Sequence, residues 1–492
     1  MSHQLIYLIV FALFALSMVF ISVIVSRGVK SGEDFLMGGR GLSVPLLVGT
    51  TIATLVGTGS SMGAVSYAFN FGWAGALYGV GGALGIFLLL ILFSDVRKYN
   101  LMTFSEELSF YYGANRIVKG VTSILLYIAS IGWLGAHIMG GSYYLAWITG
   151  LDPILSRIIV ALAFAIFTII GGYMAVVYTD TFQAVILFLG FIMLAVLAIN
   201  QIGGMGEVSN QVNDGMTTFL GLGAVGWLPG ISLAVVIAVG VLATPSYRHR
   251  IYSSSNIKTV KTGFLITGIL FALFSILPSI IGMSTYAIDP TIDAEFAFPY
   301  LVTEVFPVGI GAIILISGLS ATISSGSSDY LTAVTILLRD VVYIVTGKMP
   351  DKKKMVLYSR LALVFTLFIA LVATLGATGI LDYIQNFIST VMTGLFVAAL
   401  LGKFWSRATW QGGIASILGG SGTAVFVLLN DSLISTFGNP VLPSLGAALV
   451  AGVVVSLITP RNQVTDEEAL RILDKERSIM DEGTTDPLKN IS

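Results

Sequence analysis

Residues 321–330 read ATISSGSSDY, inside an otherwise apolar run, GIGAIILISGLSATISSGSSDYLTAVTILL. On a helix, residues three and four apart share a face. Ser324, Ser327 and Ser328 form one such group, and Ala321 and Ser325 lie one turn apart on an adjacent face. Hydroxyl oxygens and freed backbone carbonyls are hard ligands, suited to a small hard cation. Without an ion or a hydrogen-bond partner they would be costly in hydrocarbon. A serine can instead bond the carbonyl three or four residues back, and for any one of these serines that reading stays open. Four serines in five positions, with Asp329 next to them, point to a site.

Two further stretches carry similar chemistry. GGYMAVVYTDTFQAVI places Asp180 at the start of another apolar run. An acid at a membrane segment is a functional hypothesis by default; the alternative is a helix cap formed by Thr179 and Asp180. ATLVGTGSSMG, residues 53–63, clusters Gly57, Gly59 and three hydroxyls in mid-segment. Glycine weakens a helix by about 1 kcal/mol relative to alanine. Unwound backbone is tolerated at membrane depth only when it is buried in protein or lines a cavity. A close contact between helices through small residues is the other reading.

The elements that hold these residues are membrane helices. Of 492 residues, 56% are hydrophobic and 10% charged, against about 25% charged in soluble domains. Cysteine is absent, which excludes disulfides and thiol chemistry, and three scattered histidines do not make a metal site. A crossing needs about 20 apolar residues. Thirteen segments qualify, at about 5–26, 44–69, 73–94, 118–148, 153–172, 180–200, 224–246, 260–288, 308–338, 355–376, 380–402, 410–430 and 440–460. The first lacks a basic flank and is too long for a cleaved leader, so it reads as a retained span. With thirteen crossings, nearly every basic loop falls on one face and only Arg157 on the other. That charge bias predicts an outside N-terminus and a cytoplasmic C-terminus in a multi-pass cell-membrane protein. The end of the chain, from about residue 461, reads as a solvated tail or a short surface helix.

The second and seventh segments are both interrupted, the seventh by Pro229, Gly230, Gly240 and Pro245. Interrupted spans at matching places in two halves mark a transporter's binding site. The predicted organisation is an extra first span and loop (1–43), a first repeat of five helices and an outside loop (44–223), an inverted second repeat (224–405), two added spans (406–460) and a tail (461–492).

EDFLMGGRGL (33–42), FTIIGGYMAVVYTDTFQ (167–183), TPSYRHRIYSSSN (244–256) and the serine stretch with LLRDVV (337–342) occur in this order. Together they resemble the sodium/solute symporter family, with its proline, pantothenate and sugar cotransporters, over roughly residues 5–460. The resemblance implies an all-α LeuT-type fold with a five-plus-five inverted repeat and discontinuous helices, sodium as coupling ion, and import of a small organic solute by alternating access. It implies a first sodium site of the Ala53, Val56 and Ala321 carbonyls with the Ser324 and Ser325 hydroxyls. A second would use Asp180, Ser324, Ser327 and Ser328. Asp329 stands where the family pattern has no acid, and is a further residue for an ion path.

The solute is expected beside the broken segment. Thr58, Gly59 and Ser60 lie there, with Trp133 and His137 one turn apart on the fourth span and Gln385, Asn386 and Phe387 on the eleventh. A lone histidine in an apolar helix also serves as a structural residue. No intramembrane Arg or Lys marks a strongly anionic solute, and a small zwitterion or monocarboxylate is preferred over a sugar. Two other functions stay open: proton coupling through Asp180 or Asp329, and a sensor that binds without translocating. No HExxH occurs, and the sequence is expected to encode neither an enzyme nor a nucleic-acid-binding protein.

Overall fold

The computed structural model describes residues 3–26, 38–346, 355–377, 379–461 and 463–482. The first half of EDFLMGGRGL lies outside these residues. All regular structure among them is helical, apart from an isolated bridge between Leu42 and Ser254. The helices are α1 (His3–Ser26), α2 (Val44–Leu55), α3 (Ala64–Phe71), α4 (Ala76–Phe93), α5 (Phe104–Tyr111), α6 (Arg116–Thr149) and α7 (Pro153–Ile202). Then come α8 (Trp227–Ala243), α9 (Pro245–Ser253), α10 (Ile257–Phe274), α11 (Ile276–Ile288) and α12 (Val308–Ile336). The last are α13 (Met355–Ala373), α14 (Ile380–Phe387), α15 (Thr393–Phe404), α16 (Trp410–Leu428), α17 (Val441–Ile458) and α18 (Asp466–Glu482).

Polarity runs opposite to that of a soluble protein. Leu13, Phe20, Ile91, Leu189 and Phe368 are each more than half exposed, while Ser324, Ser325, Asp180, Arg248 and Glu107 are fully buried. An apolar exterior around a polar interior is what a bilayer demands. Each of the thirteen predicted segments carries helix. Among the described residues nine helices are long and apolar enough to cross, ten with the bent pair α8–α9. In the remaining segments the described residues show apolar helix over Val44–Leu55, Pro153–Phe164 and Leu357–Ala373.

Three of the helical segments are broken or bent for local reasons. α2 stops at Val56, whose φ of −80° and ψ of 57° leave the helical region. A π-type turn, Gly59–Gly63, then leads into α3. α7 is two helices joined at Gly172, whose φ of 64° and ψ of −168° only glycine adopts readily. α8 ends because Pro245 forces Thr244 out of the helix, to φ −74° and ψ 124°, and α9 leaves at 45°. Pro229 and Gly230 do not interrupt α8, since both lie in its first turn, where proline is tolerated.

α12 is the hub, packed against α2, α6 and α7, while α4 lies against α8 and α10. The basic stretch after the seventh segment forms α9 and is buried. Arg248 and Arg250 are 0% and 2% exposed, because each meets a buried acid, Glu107 or Asp180. The end of the chain takes the second of its two expected forms, a short surface helix. α18 docks on α5 and α6, with Lys119 Nζ 2.7 Å from Glu476 Oε2 and Arg477 Nε 2.6 Å from Glu106 Oε1.

Candidate functional site

The break in α2 brings its last carbonyls against the serine face of α12. Ser324 Oγ donates to Ala53 O at 2.9 Å, and Ser325 Oγ donates to Ala53 O at 3.1 Å and to Thr54 O at 3.0 Å. Ser324 also bonds Ser320 O at 2.7 Å and stands 3.4 Å from Ala321 O. The approach requires glycine: a Cβ on Gly57 would lie 2.6 Å from Ser325 Oγ. Sequence spacing placed these serines on one helix. The structure adds that two of them converge on one carbonyl of another helix, across its broken end.

One turn further toward α9 lies a second oxygen cluster. Asp180 is inside α7 and caps nothing. Its Oδ2 accepts Thr50 Oγ1 at 2.7 Å and Ser328 Oγ at 2.9 Å, and its buried Oδ1 has no partner. Ser327 Oγ bonds Ser324 O at 3.0 Å. The cation held here is Arg250. Its Nη2 lies 3.1 Å from Thr50 O, 2.9 Å from Thr50 Oγ1, 2.5 Å from Thr54 Oγ1, 2.9 Å from Ser328 Oγ and 3.6 Å from Asp180 Oδ2. Sequence reading missed Thr50, Thr54 and Arg250. The one-turn spacing of the two threonines just before the glycine-rich break was the available signal.

Between the break and α6 is an enclosed cavity, lined by Gly59, Tyr78, Trp133, His137, Tyr247 and Asp329 among others. Its free volume, about 20 Å³, is room for about one water. His137 joins two parts of the site: Nδ1 is 3.1 Å from Thr58 Oγ1 and Nε2 is 3.3 Å from Asp329 Oδ2. Trp133 Nε1 donates to Thr244 Oγ1 at 2.9 Å, tying α6 to the break between α8 and α9.

The other residues singled out from sequence lie elsewhere. Ser60 Oγ donates to Leu55 O at 2.7 Å and Gly57 O at 3.2 Å, on its own broken segment. Gln385 Oε1 accepts Asn439 Nδ2 at 3.0 Å. Asn386 and Phe387 line a separate, open vestibule of about 510 Å³ with Asp382, Tyr383 and Thr390. Phe387 and Tyr383 stack at 6.3 Å and pack over Gly132 and Gly135 of α6.

A loop before α12 packs against α3. Phe296 meets Tyr143 edge-on at 5.6 Å and Trp147 at 5.2 Å. Glu295 Oε1 accepts Ser66 Oγ at 3.1 Å, while Oε2 is buried without a partner. Burial pushes the Glu295 carboxyl up to about 7, with Asp293 and Asp382 adding to it and the Ser66 hydroxyl and Ile380 amide opposing it. This packing therefore favours the protonated acid. Its advantage is complete below the ordinary carboxylate range and is lost as pH rises toward 7. After correction for intrinsic exchange rates, hydrogen exchange across residues 64–71 is expected to quicken severalfold from pH 5 to pH 8. Glu295→Gln should abolish that pH dependence; a dependence that persists in Glu295→Gln would count against this role.

Comparisons with known proteins agree with this geometry. The sequence model of the Sodium:solute symporter family matches residues 35–420. The sodium/pantothenate symporter of Haemophilus influenzae is 24% identical, over 89% of this chain and 94% of its own. The sodium/glucose cotransporter of Vibrio parahaemolyticus is 26% identical, over 85% and 84% respectively. The osmoregulated proline transporter OpuE of Bacillus subtilis is 22% identical, over 90% and 93%. In structure, the chain is similar to a Na+-coupled sialic acid symporter in its substrate-bound outward-open state, with a TM-score of 0.79, 19% identity and coverage of 94% and 99%. It is also similar to Mhp1, a nucleobase-cation-symport-1 family transporter, with a TM-score of 0.58, 14% identity and coverage of 91% and 98%. A match over most of the chain, on a LeuT-type helical fold with its break beside the serine helix, makes this protein a member of the sodium:solute symporter family, a sodium-coupled importer of a small solute.

Proposed function

We propose that the coupling sodium binds where α12 meets the end of α2, held by the carbonyls of Ala53, Val56 and Ala321 and the hydroxyls of Ser324 and Ser325. The observation that carries this reading is the convergence of both hydroxyls on Ala53 O. Each hydroxyl needs only to rotate its proton away to turn a lone pair toward a cation. The ion then ties the broken helix to the hub helix and holds the solute cavity in shape. The coupling is reciprocal, so solute raises sodium affinity by the same factor. Each charge carried inward through 100 mV contributes about 2.3 kcal/mol.

A second sodium would use Asp180, Ser324, Ser327 and Ser328, and would compete with Arg250. Gly59, Trp133 and His137 face the solute, with Thr58 behind His137; Asn386 and Phe387 act earlier, in the outer vestibule. Two repeats, 44–223 and 224–405, rock to expose the cavity to each side in turn. The N-terminus lies outside and the C-terminus in the cytoplasm, which the one-sided basic loops support. The solute is of amino-acid or monocarboxylate type, and the protein performs no catalysis.

Uptake into proteoliposomes tests this reading. An inward sodium gradient should drive solute accumulation that a sodium ionophore collapses. Equal uptake in potassium, following an imposed pH gradient, would overturn it.

A further inference from the structure

Asp329 is 3% exposed and reaches the cavity beside the break. A carboxylate at that depth is costly unless paired. Among the described residues its polar partner is His137, whose Nε2 lies 3.3 Å from Asp329 Oδ2. A charge-assisted nitrogen–oxygen bond usually closes to about 2.7–2.9 Å. The pair is therefore in contact but not clamped, and among the described residues no Arg or Lys lines the cavity to replace the histidine. The remaining walls include the faces or edges of Tyr78, Trp133, Tyr247 and Phe271. Aromatic walls with one acid form the composition that holds an organic cation: the rings' negative faces attract it and the acid neutralises it.

The approach from outside carries the same sign. The vestibule holds Asp382, whose Oδ2 would lie 3.4 Å from a Cβ on Gly379. The outer loops at about 201–223 and 289–307 contain acids and no Lys or Arg. Arg157, the basic residue on this side, turns its guanidinium into the Thr374 and Ala377 carbonyls, the latter at 3.0 Å.

We propose that the imported solute carries a protonated amine, and that Asp329 is its counter-ion, with His137 holding the carboxylate until the amine displaces it. This rests on the sodium-symporter reading and narrows its solute class. A sugar or a plain monocarboxylate would leave Asp329 without its cation and set a second negative or neutral group beside it. Admission of the solute requires the cavity to widen, since its present volume takes about one water.

The test uses the purified full-length protein in NaCl. Thermal unfolding is followed across primary amines, zwitterionic amino acids, monocarboxylates and neutral sugars. Only amine-bearing solutes are expected to stabilise. In Asp329→Asn the affinity of the stabilising solute should fall roughly tenfold or more, the loss expected when a bond to a charged group goes. The stabilisation by sodium alone should persist in that variant, and Asp329→Glu should recover part of the solute affinity. Stabilisation by a monocarboxylate or sugar but by no amine would overturn the proposal, as would unchanged solute affinity in Asp329→Asn. Failure of every amine also counts against it. Should Asp329→Asn not fold, the wild-type panel decides alone. Absence of any sodium effect in the wild type would instead defeat the coupling reading, independently of which solutes bind.

Discussion

Arg250→Met is expected to destabilise the protein in potassium and to make it more responsive to sodium. Arg250 Nη2 sits among oxygens of Thr50, Thr54, Ser328 and Asp180 at 2.5–3.6 Å, an arrangement like that around a bound ion. Removing the guanidinium leaves Asp180 buried and uncompensated, which typically costs about 3–5 kcal/mol. Sodium can recover that loss by taking the vacated position, where Asp180 Oδ1 also lacks a partner. Half-maximal stabilisation should then come at a sodium concentration lower by roughly tenfold or more. Arg250→Lys, which keeps a tethered cation, should respond to sodium less than Arg250→Met. If Arg250 only braces the fold, Arg250→Met would lose the same stability in both salts.

The second large effect belongs to the serine pair. Ser324→Ala with Ser325→Ala removes two of the five oxygens assigned to the first sodium. It also deletes bonds to Ala53 O, Thr54 O and Ser320 O. Each such bond contributes about 1 kcal/mol net, so stability in potassium should fall modestly, by about 1–3 kcal/mol. The sodium-specific part of the stability should shrink far more, because the ion loses its side-chain ligands. Sodium-driven uptake should fall to the background seen in potassium. A purely structural pair would lower stability by equal amounts in the two salts and leave the sodium concentration dependence of uptake unchanged.

The sequence carried the helical pattern and the position of the break because both follow from local chemistry. An apolar run declares a membrane helix, and VGTGSSMG cannot remain regular through its glycines. The pairing of Ser324 and Ser325 with Ala53 was reached through family resemblance, since no spacing rule links residues so far apart in sequence. The placement of Arg248 and Arg250 was not legible. Basic residues after a span read as a loop, and only the fold reveals that Glu107 and Asp180 meet them. Gly172 shows the same limit, since paired glycines signal possible bending but not where the chain turns. Ser60 and Gln385 illustrate the converse. Their polar groups suit a solute, yet one bonds its own broken helix and the other bonds Asn439. The end of the chain read as a solvated tail or a short surface helix; α18 is that helix, and what the sequence did not show is that Glu476 and Arg477 find Lys119 and Glu106.

Sodium is expected to bridge α2 and α12 in the native protein. Unfolding of the wild-type protein in NaCl against KCl, at equal ionic strength and without solute, tests it most directly. A ligand that binds only the native state stabilises it by RT ln(1 + [L]/Kd). The account predicts a stability that climbs with the logarithm of sodium concentration, is absent in potassium, and is lost in the Ser324→Ala, Ser325→Ala double variant. Identical unfolding in the two salts across the whole concentration range would contradict it.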